Sequence, residues 1–267
     1  MVMLVSTLHD PEGRMVEPAR RLLGRLQELY DGISVVATSS TSDDLLNSLV
    51  GTTVEPLEES NGAIGIGRRH ALRLGLRSEA SHLHYCDFDR VLHWIGRYPS
   101  ELAATVRAVE SHDYLMIGRT DRAFATHPRV QLDTERITNH AFSLWYGEPV
   151  DVTAGSCGVS RQAAELLLER STTPTNATDT EWPALIRLAG MHVGFTQTEG
   201  LEFETSDYFP DQIAAAGSME AWLEERSRPL DSWVSRIRLT LDSLEALHQV
   251  SSSWNGDVRQ PAAGSTR

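Results

Sequence analysis

Leu83-His84-Tyr85-Cys86-Asp87-Phe88-Asp89 is a short apolar run that stops at two carboxylates separated by one aromatic residue. Read as a buried strand, it delivers paired acids to a sheet edge, where open α/β sheets collect their ligands. Two carboxylates so placed are hard oxygen donors suited to a divalent cation such as Mg²⁺ or Mn²⁺. Acid-x-acid patterns recur in this chain, at Asp10-x-Glu12, Asp133-x-Glu135, Asp179-x-Glu181 and Glu202-x-Glu204. Only Asp87-x-Asp89 is a strict Asp-x-Asp at the end of an apolar strand. The alternative is a capping turn in which both acids accept from backbone amides.

Outward from this run, strands alternate with helices. Met3 to Leu8 and Ile33 to Ala37 are apolar runs of strand length, and Pro18 to Tyr30 carries Leu22, Leu23, Leu26 and Leu29 at helical spacing. A Ser/Thr cluster from Thr38 to Ser42 leads to a helix beginning near Asp43, with Leu45, Leu46, Leu49 and Val50 on one face. This alternation implies right-handed crossovers and an α/β fold of Rossmann type, a mainly parallel sheet flanked by helices. Gly62, Gly65 and Gly67 open the helix that runs through Ala71, Leu72 and Leu76 into the Asp-x-Asp strand. Glycines there let the backbone approach either a phosphate or another element.

Downstream, the pattern predicts a helix over Glu101 to Val109 and a strand over Tyr114 to Gly118. It then predicts a polar loop from Arg119 to Asn139 and a glycine-broken strand over Val150 to Val159. Helices over Arg161 to Arg170 and Trp182 to Ala189 and a strand over Met191 to Phe195 follow. Glu199 to Thr205 alternates apolar and acidic residues, as an exposed edge strand does. From Ser218 the chain turns helical, split by Pro229. Asp231 is placed to cap a last helix whose stripe is Val234, Ile237, Leu241, Leu244 and Leu247. That stripe packs on the sheet or on a second subunit, which would make the protein a homo-oligomer through its C-terminal helix. The expected organisation is a main domain over residues 1–215, a helical extension over 216–254 and a disordered tail over 255–267.

Charged residues make up 23% and hydrophobic residues 40% of the 267, as in a globular protein. The net charge of −13 opposes a phosphate backbone, and no basic patch offsets it, so a nucleic-acid partner is not expected. Cys86 and Cys157 give neither a disulfide framework nor a zinc set, which points to a reducing, cytoplasmic setting. The apolar start, Met1 to Val5, is a strand rather than a signal peptide. No run approaches the roughly 20 apolar residues of a membrane span.

The order of these parts resembles the nucleotide-sugar-binding half of glycosyltransferases with the GT-A fold. Val5-Ser6-Thr7-Leu8-His9-Asp10 and Val35-Val36-Ala37-Thr38-Ser39 stand as its first two strand ends. Gly62-Ala63-Ile64-Gly65-Ile66-Gly67-Arg68-Arg69 then opens the helix before the Asp-x-Asp strand. The resemblance implies Leu8 and Asp10 near the base, Thr38 and Ser39 beside the nucleoside, and Arg68 or Arg69 near the diphosphate or Asp87. Asp87 and Asp89 fall at the metal and ribose. Asp151 to Arg161 is similar to the small-residue strand on the acceptor side, and Thr178 to Pro183 to an acidic segment. There Asp179, or else Glu181, would deprotonate an acceptor hydroxyl. The implied activity is transfer of a sugar from a nucleotide-diphosphate donor to an unidentified acceptor. The other readings are a nucleotidyltransferase of related fold and a non-catalytic nucleotide-sugar-binding module.

Arg119, Arg122 and His127 concentrate donors that would clamp a phosphate or an anionic acceptor; their alternative is ion pairing with Asp121, Asp133 and Glu135. Asp179 has an alternative as the N-cap of the Trp182 helix, and Glu204 or Asp207 would complete a metal site. A competing metallohydrolase reading joins His9, His84, His93 and His127 to Asp87 and Asp89. His82 and His84 share one strand face and have an alternative as core histidines.

Overall fold

The computed structural model describes residues 1–57 and 64–254. In chain order the elements are β1 (Val2–Leu8), α1 (Val16–Leu29), β2 (Gly32–Thr38), α2 (Asp43–Ser48), β3 (Thr53–Leu57), α3 (Ile64–Gly75), β4 (His82–Cys86), α4 (Phe88–Arg97), α5 (Pro99–Val109) and β5 (Tyr114–Arg119). There follow α6 (Asp121–Ala125), α7 (Arg129–Tyr146), β6 (Ser156–Ser160), α8 (Arg161–Arg170), α9 (Thr178–Leu188) and β7 (Val193–Thr198). A 3-10 turn over Glu204–Tyr208 leads to α10 (Pro210–Ala216), α11 (Met219–Ser227) and α12 (Leu230–Ser253). Gly62 and residues 255–267 fall outside the described residues.

The seven strands form one sheet in the order β3-β2-β1-β4-β6-β5-β7. Only β6 runs against its neighbours, pairing antiparallel with both β4 and β5. The C-terminal ends of β1, β2, β4, β5 and β7 therefore share one edge, and β6 begins there, with Ser156 opposite Cys86.

Both faces of the sheet are covered, which is why β1 opens on the unbroken apolar run Val2 to Val5 rather than an alternating one. On one face, Leu4 and Val35 meet Leu22 and Leu26 of α1, Trp94 of α4 and Leu102 of α5. On the other, Val5 and Leu83 meet Leu72 of α3, Leu167 of α8 and Trp182 of α9. The result is a helix/sheet/helix sandwich, and α12 lies outside it against α7 and α9.

Three sequence expectations fail. The polar loop over Arg119 to Asn139 is helical: α7 buries Gln131, Thr134, Glu135 and Thr138 on the same face as Val130 and Phe142, so polar residues hold positions where an apolar period would have shown. Glu199 to Thr205 is no strand but a turn entering the 3-10 segment. Pro229, not Asp231, occupies the N-cap of α12, and Asp231 lies within its first turn. The described glycines of the helix entrance answer to packing. A Cβ on Gly65 would stand 2.5 Å from the Thr173 carbonyl oxygen, and its amide already donates to the Pro174 carbonyl at 2.9 Å.

Candidate active site

β4 ends at Cys86, and Asp87 takes the N-cap position of α4 without its side chain capping the helix. Its Oδ1 accepts instead from the Tyr85 hydroxyl at 2.5 Å and the Thr7 hydroxyl at 3.1 Å. Asp89, in the first turn of α4, accepts from the Arg90 amide at 2.9 Å. Arg90 reaches between acids: its Nε lies 3.6 Å from Asp87 Oδ2 and 3.8 Å from Glu204 Oε1. Its Nη1 donates to the Ala154 carbonyl at 2.9 Å.

Glu204 is buried at 4% exposure, and its Oε2 has no hydrogen-bond partner among the described residues. A buried carboxylate oxygen without a partner is costly unless a ligand satisfies it. Burial, then the nearby charges of Glu204 and Asp87, push the Asp89 carboxyl up to about 7 despite Arg90. Among the described residues no three His, Cys, Asp or Glu side chains are grouped to hold a metal ion by themselves. The crowded acids and the orphaned oxygen fit a cation of the Mg²⁺ or Mn²⁺ class, which takes one or two carboxylates and completes its shell with phosphate and water.

Behind Asp87 stands an arginine. Arg68, buried on α3, donates to the Thr178 hydroxyl at 2.8 Å and to the Tyr85 hydroxyl at 3.3 Å, and forms an ion pair with Asp179. Gly155 sits against both groups at φ +69°, where a Cβ would stand 3.2 Å from Arg68 Nη2 and 3.3 Å from Asp87 Oδ2. Asp179 is therefore not a helix cap, since Ala177 holds that place at α9. Burial raises the Asp179 pKa above the ordinary carboxylate value, against the opposing pull of Arg68. The direction suits a proton acceptor.

Other expected site residues do different work. Glu181 accepts from the Ser171 hydroxyl at 2.5 Å and from the amides of Thr172 and Thr173 at 2.9 and 3.2 Å, so both its oxygens anchor that loop. Arg69 donates to the Thr173 carbonyl at 2.6 Å, away from the acids. Asp10 accepts from the amides of Arg14 and Met15 at 3.1 and 2.7 Å, closing the turn into α1. The Leu8 side chain is buried; Thr38 bonds His9 Nδ1 at 2.8 Å, and Ser39 is exposed at the rim.

Arg119 is buried in ion pairs with Asp151 and Glu135, both at 2.7 Å. Arg122 pairs with Glu199 and with Glu202 on the surface. The ion-pairing alternative therefore describes them, with partners other than Asp121 and Asp133. His127 is buried, and burial, with Arg119 and Arg90 nearby, holds its pKa well below the usual value. The histidines of the metallohydrolase reading are dispersed. His84 is fully buried between Tyr30 and Ser156, and His93 is bound to Asp207 at 2.6 Å. Asp207, so engaged and also paired with Arg97, does not join the acids.

Sequence reading missed Thr7, Tyr85 and Arg90, and an arginine-lined cavity. This cavity, of about 490 Å³, is bounded by Arg90, Gln131, Phe203, Glu204, Arg226 and Arg236. Arg236 hydrogen-bonds Glu135 at 3.3 Å, whereas Arg226 lies over the Trp222 ring at 4.9 Å. Burial and the neighbouring Arg236 lower the Arg226 pKa. Arg90 was visible beside Asp89 in the sequence; nothing local tied Arg226 or Arg236 to it.

The sequence matches no protein-family model and no curated protein. Solved structures do match. Glucosyl-3-phosphoglycerate synthase of Mycobacterium tuberculosis superposes with a TM-score of 0.56 at 15% identity, over 93% of this chain and 81% of that one. Its complex with Mn²⁺, uridine diphosphate and phosphoglyceric acid gives 0.55 at 15%, over 92% and 78%. Its complex with Mn²⁺, uridine-diphosphate-glucose and phosphoglyceric acid gives 0.55 at 15%, over 93% and 80%. At such identity the likeness is one of architecture: the chain has a GT-A fold.

Proposed function

We propose that the protein is a glycosyltransferase that moves a sugar from a nucleotide-diphosphate donor to a hydroxyl of an anionic acceptor, using Mg²⁺ or Mn²⁺. The observation that carries this reading is the placement of Asp87 and Asp89 just after β4, at the edge where β1 and β2 also end, with a buried Glu204 oxygen that has no partner among the described residues lying across Arg90. In GT-A enzymes that edge takes the nucleotide, so the end of β1 at Leu8 and the rim residues Thr38 and Ser39 are assigned to the nucleoside. Asp87 and Asp89 would hold the cation, whose contribution when bound is to offset charge on the leaving diphosphate. Thr7 and Tyr85 fix the Asp87 carboxylate for that task. Asp179 is assigned the proton of the incoming hydroxyl, with Arg68 holding its orientation.

Arg90, Arg226 and Arg236 line the adjoining cavity beside Glu204 and Asp231, and Arg226 has no ion-pair partner among the described residues, which favours an acceptor bearing a phosphate or carboxylate. The fold neighbours solved in complex with Mn²⁺, a uridine nucleotide and phosphoglyceric acid support the same donor and acceptor classes. Assay of nucleotide release from a panel of nucleotide sugars, with Mn²⁺ or with chelator, tests the reading. Expected is Mn²⁺-dependent release stimulated by hydroxy acids or sugar phosphates, and a rise in acceptor KM of about tenfold or more in Arg226→Ala. Absence of turnover with every donor would contradict it.

A further inference from the structure

The longest helix leaves an apolar face uncovered. α12 turns Ser243 and Leu247 inward, while Leu230, Val234, Ile237 and Leu241 are 74, 39, 54 and 54% exposed. Their spacing of four, three and four residues makes one stripe along the helix. α7, against which α12 packs, exposes Ile137 and Leu144. Six of the eleven exposed large apolar side chains among the described residues lie on these two helices.

We infer that a second copy of the chain covers this face, with α12 pairing antiparallel to itself about a two-fold axis at Leu241. The charges beside the stripe choose the occupant. Arg238 and Glu245 are exposed on the same flank, seven residues apart, and neither has an ion-pair partner among the described residues. In an antiparallel pair the same flank of each helix meets its counterpart. An axis at Leu241 therefore sets Arg238 of one copy beside Glu245 of the other, twice over, and Ile237 against Leu244. A two-fold contact has to be self-complementary, and the Arg238–Glu245 pair meets that condition. A helix that lies on a bilayer carries a Lys/Arg-rich polar face; here Asp231, Asp242 and Glu245 flank the stripe with Arg238 alone of opposite sign. Arg236 projects from another side of α12 into the arginine-lined cavity, so pairing would brace the helix that carries it. The inference does not depend on the assigned reaction.

Sedimentation velocity of the full chain over micromolar concentrations tests it, with circular dichroism confirming that each variant folds. Expected is a species of two chains, and a monomer for Leu241→Arg. Arg238→Glu and Glu245→Arg should each weaken dimerisation about tenfold or more, and the double variant should recover most of that loss. A wild-type monomer throughout would overturn the inference. So would a dimer indifferent to Leu241→Arg, or a double variant no tighter than the singles. Co-sedimentation of monomer with anionic lipid vesicles would overturn it in favour of a membrane surface.

Discussion

Arg68 and Asp179, assigned to opposite ends of the reaction by their positions in the sequence, form one buried ion pair. Removing one member of such a pair leaves a charge without its partner, at a cost of about 3–5 kcal/mol. Asp179→Ala should lose stability of that order in urea unfolding, and Arg68→Met/Asp179→Ala less than the two single losses combined; a neutral Asp179→Ala would contradict the pairing. His84 offers a second test at this scale. Burial lowers its pKa to about 3, whereas an unfolded histidine titrates near 6.5. The folded state thus binds fewer protons, so the stability linked to His84 is full above pH 6.5. It falls as pH drops, by about 1.4 kcal/mol per unit toward pH 3. The difference between wild type and His84→Gln in unfolding free energy should follow that slope; a pH-independent difference would contradict it. Asp87 and Asp89 were legible because an apolar run ending in acids is a local signal. The burial of Glu204 was not, because it is fixed by Arg90, more than a hundred residues earlier.

Elements were legible wherever apolar residues set the period, as in α1 and β1, and hidden where polar residues were buried. α7 is the clearest case, its inward face held by Thr134 and Glu135 rather than by leucines. Arg119 follows the ion-pair alternative through Glu135, whereas its second partner, Asp151, was not among the acids the sequence offered. Glu181 shows how an element claims a residue with catalytic credentials. It ties the start of α9 to the loop at Ser171, Thr172 and Thr173, which in turn meets Gly65 at the entrance of α3. Glu181→Ala should therefore cost about 1–3 kcal/mol by leaving buried donors unpaired, while the Kd for a nucleotide diphosphate stays within about threefold of wild type. Isothermal titration beside thermal unfolding checks both; weakened binding with intact stability would return Glu181 to the site.

For the whole molecule, sheet order decides what the site is made of. Because β6 runs backwards between β4 and β5, Ala154 and Gly155 arrive beside Asp87, and the ends of β5 and β7 share that edge. The parallel half of this layout was readable from strand and helix alternation. The reversed strand was not, since a five-residue run containing Gly158 carries no sign of its direction. The C-terminal helices bring Arg226 and Arg236 to the cavity, so the extension belongs to the proposed acceptor side. The central claim is that Asp87 and Asp89 hold a cation that holds a diphosphate. Its most direct test is the Kd of uridine diphosphate by isothermal titration, with Mn²⁺ and with chelator, in wild type and Asp89→Ala. The account predicts that Mn²⁺ tightens binding to wild type by about tenfold or more and leaves Asp89→Ala unchanged. Equal affinity with and without Mn²⁺ in the wild type, or an undiminished Mn²⁺ effect in the variant, would contradict it.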